Sequence, residues 1–465
     1  MAKHLSPALT TLLLLAACKL GPDYHVPVAD SPSAWKEHEP PKTPVASRNK
    51  TEWWKDFGDD ALNRLIDRAL KGNEDLKIAA ARIVEVRGLR ESAAGSLYPE
   101  INGGASAGRA QPGAVTTRSD LTVYQAEFDA AWEIDLFGGT RRKVEAEEAV
   151  TGAAEAAYRN ASLSLVAEVA REYILLRQLQ AQMGVTHQTA DVQHRLYAIA
   201  QDHYKGGLVS TLDVSQSEAL YKTTLARIPD FQRQIAAGSY RISILLGEKP
   251  GTVADIVAKS GPIPKVHALP VLDAPADILR QRPDVAVAER NLAAATALQG
   301  VAISALYPKV SLSAMFGIQH GVLPVFHYLA THNIWSTGAG LTMPILEFGT
   351  IEGQIKAADA KQVQAFHQYR QTVLAALGDV ETDISNLAKE SLRYSILQGA
   401  SKSADHAVSV ARDRYRSGLS DFTSVLQTEQ QRFSVQLDLI ASQSAIAQDV
   451  IALHKALGGD TCDCR

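Results

Sequence analysis

The stretch "VYQAEFDAAWEIDL", residues 123–136, decides how this chain is read. Taken at every second position, Tyr124, Ala126, Phe128, Ala130, Trp132, Ile134 and Leu136 are apolar. The residues between them include Gln125, Glu127, Asp129, Glu133 and Asp135. A period of two puts successive side chains on opposite faces of a strand. The stretch therefore predicts one long strand with an oily face and an acidic face. Two settings accept such a strand: a soluble sheet over a helical core, or a bilayer crossing with water on one side. Alternation alone does not separate them.

The start of the chain favours the bilayer. Lys3 and His4 precede a short apolar run, "LSPALTTLLLLAAC", which reads as a secretory signal over residues 1–17. Leu15, Ala16, Ala17 and Cys18 resemble a bacterial lipobox. That makes Cys18 the lipid-attachment site and the first residue of the mature protein, followed by an extended segment over 18–50. Lys19 stands where an aspartate typically keeps such lipoproteins at the inner membrane, so the expected site is the outer membrane. No run approaches the roughly 20 apolar residues of a membrane helix, and any crossing must use strands. A net charge of −4 gives no footing for nucleic acid as a partner. Hydrophobic residues make up 46% of the chain but aromatics only 6%, so alanine carries much of the apolar count and long helices are favoured.

The chain repeats itself. Leu97-Tyr98-Pro99 returns as Leu306-Tyr307-Pro308, "DLFGG" (135–139) as "LEFGT" (346–350), and "HYKGGL" (203–208) as "RYRSGL" (414–419). Each recurs at an offset of about 210 residues, the mark of an internal duplication. The first repeat runs over 51–260 and the second over 261–458, with a flexible tail at 459–465. Each repeat reads as helix, strand, loop, strand, long helix, tight turn, helix. Strands are expected at 100–109, 121–136, 309–319 and 333–346. In the last of these, Trp335, Thr337, Ala339, Leu341, Met343 and Ile345 share one face. Proline-free helical patterns at about 141–204 and 353–415 would each reach about 95 Å at ~1.5 Å per residue. They end at Gly206-Gly207 and Gly418 and return over about 211–246 and 420–457, the first of these kinked by Pro229.

Strands this long suit a tilted bilayer crossing, but four cannot close a barrel and an open edge is not tolerated in lipid. Several chains must therefore pool their strands. Glu127, Asp129, Glu133 and Asp135 would then line water, favouring cations.

These features resemble the outer-membrane factor (TolC-like) family, in the lipoprotein branch of NodT-like efflux channels. The resemblance rests on Cys18 with Gly21-Pro22-Asp23-Tyr24 and Pro27, on "WWKDF" (53–57) followed by "LNRLIDRALKGNEDLKIAAAR", and on "RPDVAVAERNL" (282–292). It implies a mainly α fold with β: a homotrimer whose strands form a twelve-stranded outer-membrane β-barrel, continued by a long periplasmic α-helical barrel. It also implies a passive exit channel of a tripartite efflux pump, fed by a periplasmic adaptor and an inner-membrane pump, with no cofactor and no enzymatic step. A type I protein-secretion duct shares the architecture, and a structural coiled-coil lipoprotein is the reading from another class. By the same resemblance Asp213 and Tyr415 match an acid and a tyrosine that link helices at a closed periplasmic gate. The chain departs from the pattern at Gln427, where relatives place an aspartate ring, at Ser424, where some have another acid, and at Ser420, where some have an arginine. Asp421 lies close enough to substitute for the missing acids.

Other clusters carry less. His320, His327 and His332 surround the loop between the third and fourth strands without the spacing of a compact metal site. His187, His194 and His203 read as surface positions of one helix. Cys462 and Cys464 are too close in sequence for an unstrained bridge and lack the further ligands of a zinc site. No nucleophile elbow, phosphate loop or HExxH pattern occurs.

Overall fold

The computed structural model describes residues 19–28, 31–36, 52–110, 121–266, 269–270, 272–323 and 328–459. The signal segment, Cys18, His327, Cys462 and Cys464 lie outside the described residues. A 3-10 turn at Trp53–Phe57 leads to α1 (Asp60–Gly72), α2 (Glu74–Gly95), β1 (Glu100–Ala110) and β2 (Leu121–Ile134). Then follow α3 (Gly139–Lys205), α4 (Thr211–Leu225), α5 (Arg227–Leu245) and the short α6 (Ala254–Ala258). The second repeat has α7 (Pro275–Gln281), α8 (Pro283–Ser304), β3 (Lys309–Leu323), β4 (Tyr328–Thr342), α9 (Thr350–Arg416) and α10 (Phe422–Ala456). Among the described residues no helix is apolar enough to cross a membrane.

Two compact units arise, and they do not follow the repeats: each draws residues from both. One unit takes 81–156 and 286–371 with the start of the chain. It holds a single antiparallel sheet in the order β1-β2-β3-β4. The register stacks Ala105, Ala126, Ile318 and Asn333 across one level, and Gly103, Phe128, Phe316 and Trp335 across the next level on the same face. Residues 19–28 are pinned here by Arg142, whose side chain is 1% exposed. Its guanidinium donates to the carbonyls of Leu20 (2.9 Å) and Gly21 (3.0 Å) and to Asp23 (2.8 Å). Tyr24 donates to Glu289 at 2.5 Å. Gly21 sits at φ 85° with a hypothetical Cβ only 2.5 Å from Gly300 Cα, so neither the angle nor the space admits a side chain.

The other unit takes 157–285, 372–459 and the described residues of 29–80. α1 begins at Asp59, whose carboxylate accepts from the amides of Ala61 and Leu62. It buries Leu62, Leu65, Ile66 and Ala69, one helical stripe, against Trp53 and against Val169, Tyr173 and Ile174 of α3. The helix expected to run unbroken from α1 into α2 is interrupted at Asn73, and the second repeat is interrupted at the equivalent Arg282. Each break residue is extended, and each caps the returning helix of its own repeat: Asn73 Nδ2 donates to the Leu245 carbonyl, and Arg282 to the Ala456 carbonyl, both at 2.9 Å. The duplication thus extends to a hydrogen bond that no sequence motif advertises.

Strand ends shift from expectation. β2 stops at Ile134 because Asp135 turns to serve α3, and β4 stops at Thr342, before Pro344, which has no amide to offer a ladder. Met343 and Ile345 therefore lie outside the strand. α4 and α5 part at Ala226, three residues before Pro229, which has no amide to donate to the Leu225 carbonyl.

Candidate channel lining and gate

The sheet register sorts the two faces. Tyr124, Ala126, Phe128, Ala130, Trp132 and Ile134 lie level with His320, Ile318, Phe316, Ala314, Leu312 and Val310. Large members of this face are bare: Phe128 is 66% exposed and Trp335 72%. A soluble sheet would have covered them. The opposite face carries Gln125, Glu127, Asp129 and Glu133, level with Gln319, Gly317, Met315 and Ser311. Glu127 is flanked by Gly104 and Gly317, and Gly338 and Gly340 continue the small surface on β4. A Cβ at Gly317 would sit 2.4 Å from the Ala126 carbonyl, so glycine is required there. Lys309 pairs with Glu133 at 3.3 Å, leaving Glu127 and Asp129 as the acids of mid-strand.

Asp135 is placed differently from the other three acids. It lies one residue past β2, accepts from the amides of Thr140 (3.1 Å) and Arg141 (2.9 Å), and pairs with the Arg141 guanidinium at 3.1 Å. It caps the N-terminus of α3. The second repeat has Leu346 at the corresponding place, so this cap is not duplicated.

The two helix turns are built alike. Gly207 (φ 69°) and Gly418 (φ 71°) take left-handed backbone. The Leu208 amide reaches back to the His203 carbonyl, and the Leu419 amide to Arg414, both at 2.9 Å; these are Schellman closures. After the first turn Ser210 and Asp213 form a capping box that starts α4. After the second, Asp421 accepts from the amide of Ser424 at 2.9 Å to start α10. The Ser424 hydroxyl adds a second bond, and together they hold the Asp421 carboxyl below the usual carboxylate range. Asp213 is thus committed to Ser210, and Tyr415 faces His203 instead: its hydroxyl lies 3.3 Å from His203 Nδ1. The ring of Phe422 lies tilted against that of Tyr415, their centroids 5.3 Å apart. Burial, and next the charge of Asp213, raise the Tyr415 hydroxyl pKa. Asp213 therefore acts on Tyr415 through space, not by a bond within one chain. Gln427 is exposed on α10.

Sequence reasoning placed His203 on a helix surface and missed its contact with α9. It also missed a charged groove of about 560 Å³ whose lining includes Glu168, Glu172, Asp379 and Asp383 together with Arg171, Arg282 and Lys455. Burial and the neighbouring Asp379 push Asp383 up to about 6. Burial, Glu390 and Asp383 do the same for Asp449. The only signal in the sequence is the i, i+4 spacing of Asp379 and Asp383, which places like charges on one helix face. Both groups have folded-state pKa values above their unfolded ones. Their contribution to stability is therefore complete at pH below about 4 and is lost as pH rises through about 6. An Asp383→Asn, Asp449→Asn protein should gain roughly 1–3 kcal/mol per chain at pH 8, reduced from the full shift by solvent screening, and only about a third of that at pH 4.5. Thermal unfolding in detergent at the two pH values checks this.

No group of three His, Cys, Asp or Glu among the described residues is arranged to hold a metal ion. His320 Nδ1 is 2.8 Å from the Thr331 hydroxyl, while His332 faces Gln319 on the other side of the sheet.

A model of the outer membrane efflux protein family matches residues 65–248 and 274–459. Nodulation protein T of Rhizobium leguminosarum bv. viciae is 28% identical over 456 residues, spanning 96% of this chain and 92% of that protein. The solvent efflux pump outer membrane protein SrpC of Pseudomonas putida is 29% identical over 473 residues, 98% of each chain. Among solved structures, the outer-membrane channel OprN superposes with a TM-score of 0.87 at 31% identity, over 95% of this chain and 99% of that one. With both repeats matched and the fold shared from end to end, this chain belongs to the outer membrane efflux protein family.

Proposed function

We propose that the chain is the exit duct of a tripartite efflux pump, carrying small molecules from the periplasm through the outer membrane. The observation that carries this reading is the sheet: one face bare and apolar, the other small and acidic, with β1 and β4 both left as open edges. Lipid accepts no open edge. Three chains would pool twelve strands and close the barrel, wide enough to leave an aqueous bore. The 67-residue helices α3 and α9, about 100 Å each, would continue it as a periplasmic tunnel. Membership in a channel family makes this a duct and not an enzyme.

In this reading Glu127, Asp129 and Glu133 line the bore, and Asp135 serves the junction below it. Acylation of Cys18 would seat its lipid in the periplasmic leaflet. The support for this is Lys19, Leu20 and the residues after them, which are held where β2 passes into α3, with Leu20 donating to the Phe137 carbonyl at 3.3 Å. The helix turns form the entrance that meets an adaptor and, through it, an inner-membrane pump. Asp213 and Tyr415 are the gate pair, Asp421 caps the neighbouring turn, and Gln427 leaves the entrance without an acidic ring at that level.

Single-channel recording in planar bilayers tests the duct. An Asp213→Ala, Tyr415→Phe protein should show resting conductance several-fold above the parent. Ser210→Ala removes the capping partner but keeps the carboxylate, so it should stay near the parent level. Unchanged conductance in the double variant would remove Asp213 and Tyr415 from the gate. Deletion separates cargo classes: drug hypersensitivity marks efflux, and loss of an exported protein marks secretion.

A further inference from the structure

We propose that His203 and Tyr415 form a proton-operated latch between the two helix hairpins of each chain, with Asp213 as its third member. The proposal rests on the gate reading above and adds what regulates it. His203 ends α3 in the first hairpin and Tyr415 ends α9 in the second, so their contact is a side-chain tie between hairpins at the entrance. On the Tyr415 side, Ala200, Leu196, Val214, Leu426 and Phe422 form a small apolar cluster against which the tyrosine packs.

The charges around the tie have partners of their own. On α3, Lys205 pairs with Asp202 at 3.1 Å. On α9, Arg416 pairs with Asp413 at 3.4 Å, and Arg414 donates to the Leu419 carbonyl. On α10, Asp421 holds Ser424. From α4, Asp213 holds Ser210 through one carboxylate oxygen and projects its charge onto Tyr415. Histidine is the side chain that changes charge between pH 5 and 8, and here it sits directly on the tie.

The sign follows from hydrogen-bond polarity. In the neutral tautomer that carries its proton on Nε2, the Tyr415 hydroxyl donates to the Nδ1 lone pair of His203. Adding one proton to Nδ1 reverses this bond: Nδ1–H donates and the Tyr415 oxygen accepts. The hydroxyl hydrogen is then released, and the Asp213 carboxylate is the acceptor whose charge already reaches it. The chain becomes imidazolium to hydroxyl to carboxylate, with both bonds charge-assisted. The present separation of 3.3 Å is long for such a bond, leaving room to shorten. Acid therefore tightens the entrance, and rising pH loosens it.

Two measurements test the latch. Resting conductance of the parent should be at least about threefold higher at pH 8.0 than at pH 5.5. His203→Gln keeps a hydrogen-bonding side chain without a titration and should abolish that difference. Asp383→Asn with Asp449→Asn should retain it, although those acids titrate in the same range. A pH response that survives in His203→Gln overturns the latch. The second measurement needs no conduction: a double-mutant cycle of His203→Gln and Tyr415→Phe, read as melting temperature in detergent. Coupling larger at pH 5.5 than at pH 8.0 supports the latch, and equal coupling overturns it. Failure of the gate reading shows separately, as an Asp213→Ala, Tyr415→Phe channel whose conductance stays at the parent level.

Discussion

A Phe316→Arg protein is expected to be missing from the outer membrane, while the adjacent Met315→Arg protein assembles. The two positions are neighbours on β3 with opposite fates. Phe316 lies between Phe128 and Trp335 on the bare apolar face, near the middle of the sheet. An arginine at mid-depth on a lipid-facing strand costs about 2–4 kcal/mol, and a symmetric assembly incurs it once per chain. Met315 lies opposite Asp129 on the acidic face, where an arginine meets water and a counter-charge. The heat-modifiable band of the assembled oligomer in outer-membrane fractions is the measurement. Normal assembly of Phe316→Arg, or equal loss of both proteins, would mean that the apolar face does not meet lipid.

The same contrast shows what the sequence could reveal. The period of two in residues 123–136 fixes which residues share a face, because a strand allows no other arrangement. The two tips were legible because glycine past a helix end reports backbone geometry through local chemistry, whereas the caps that follow, Ser210 with Asp213 and Asp421 with Ser424, went unread. The break at Asn73 was missed although it carries a local signal: glycine at 72 suits a helix end, and the Asn73 side chain accepts from the Leu76 amide to start the next helix. What no local pattern shows is the end of α5 arriving so closely that a Cβ at Gly247 would stand 2.1 Å from the Gly72 carbonyl. Asp135 was misplaced for a related reason. It continues the alternation of β2 perfectly, and only the amides of α3 claim it for a cap. His203 illustrates the third limit. A helical surface position is readable, but its partner lies about 210 residues away on α9, and no local pattern announces it.

Replacing Arg282 by alanine is expected to cost about 3–5 kcal/mol per chain, because the change strands charges and does not merely delete a contact. Arg282 is 7% exposed. It forks onto Asp284 at 3.0 and 2.7 Å and reaches Asp379 at 3.1 Å. It also caps the Ala456 carbonyl at the end of α10. Burial works against the charges of both Arg282 and Asp284, yet their mutual bonds raise the guanidinium pKa and lower that of Asp284. Without Arg282, Asp284 would be a half-buried carboxylate with no cation, and the last turn of α10 would lose its donor. Asn73→Ala, at the equivalent break of the first repeat, removes a neutral donor and a cap to the Leu76 amide, for which about 1 kcal/mol is expected. The pair of variants therefore separates geometry from charge. The sign with pH separates them again. Asp284 has a folded-state pKa below its unfolded one, so its contribution is present above the ordinary carboxylate range and is lost as pH falls through the lowered value. The difference in melting temperature between the parent and Arg282→Ala should be large at pH 7 and shrink below pH 4, while that for Asn73→Ala should stay constant. Equal losses for the two variants at pH 7 would show that Arg282 is only a cap, and that the second repeat, like the first, is joined at its break by a hydrogen bond alone.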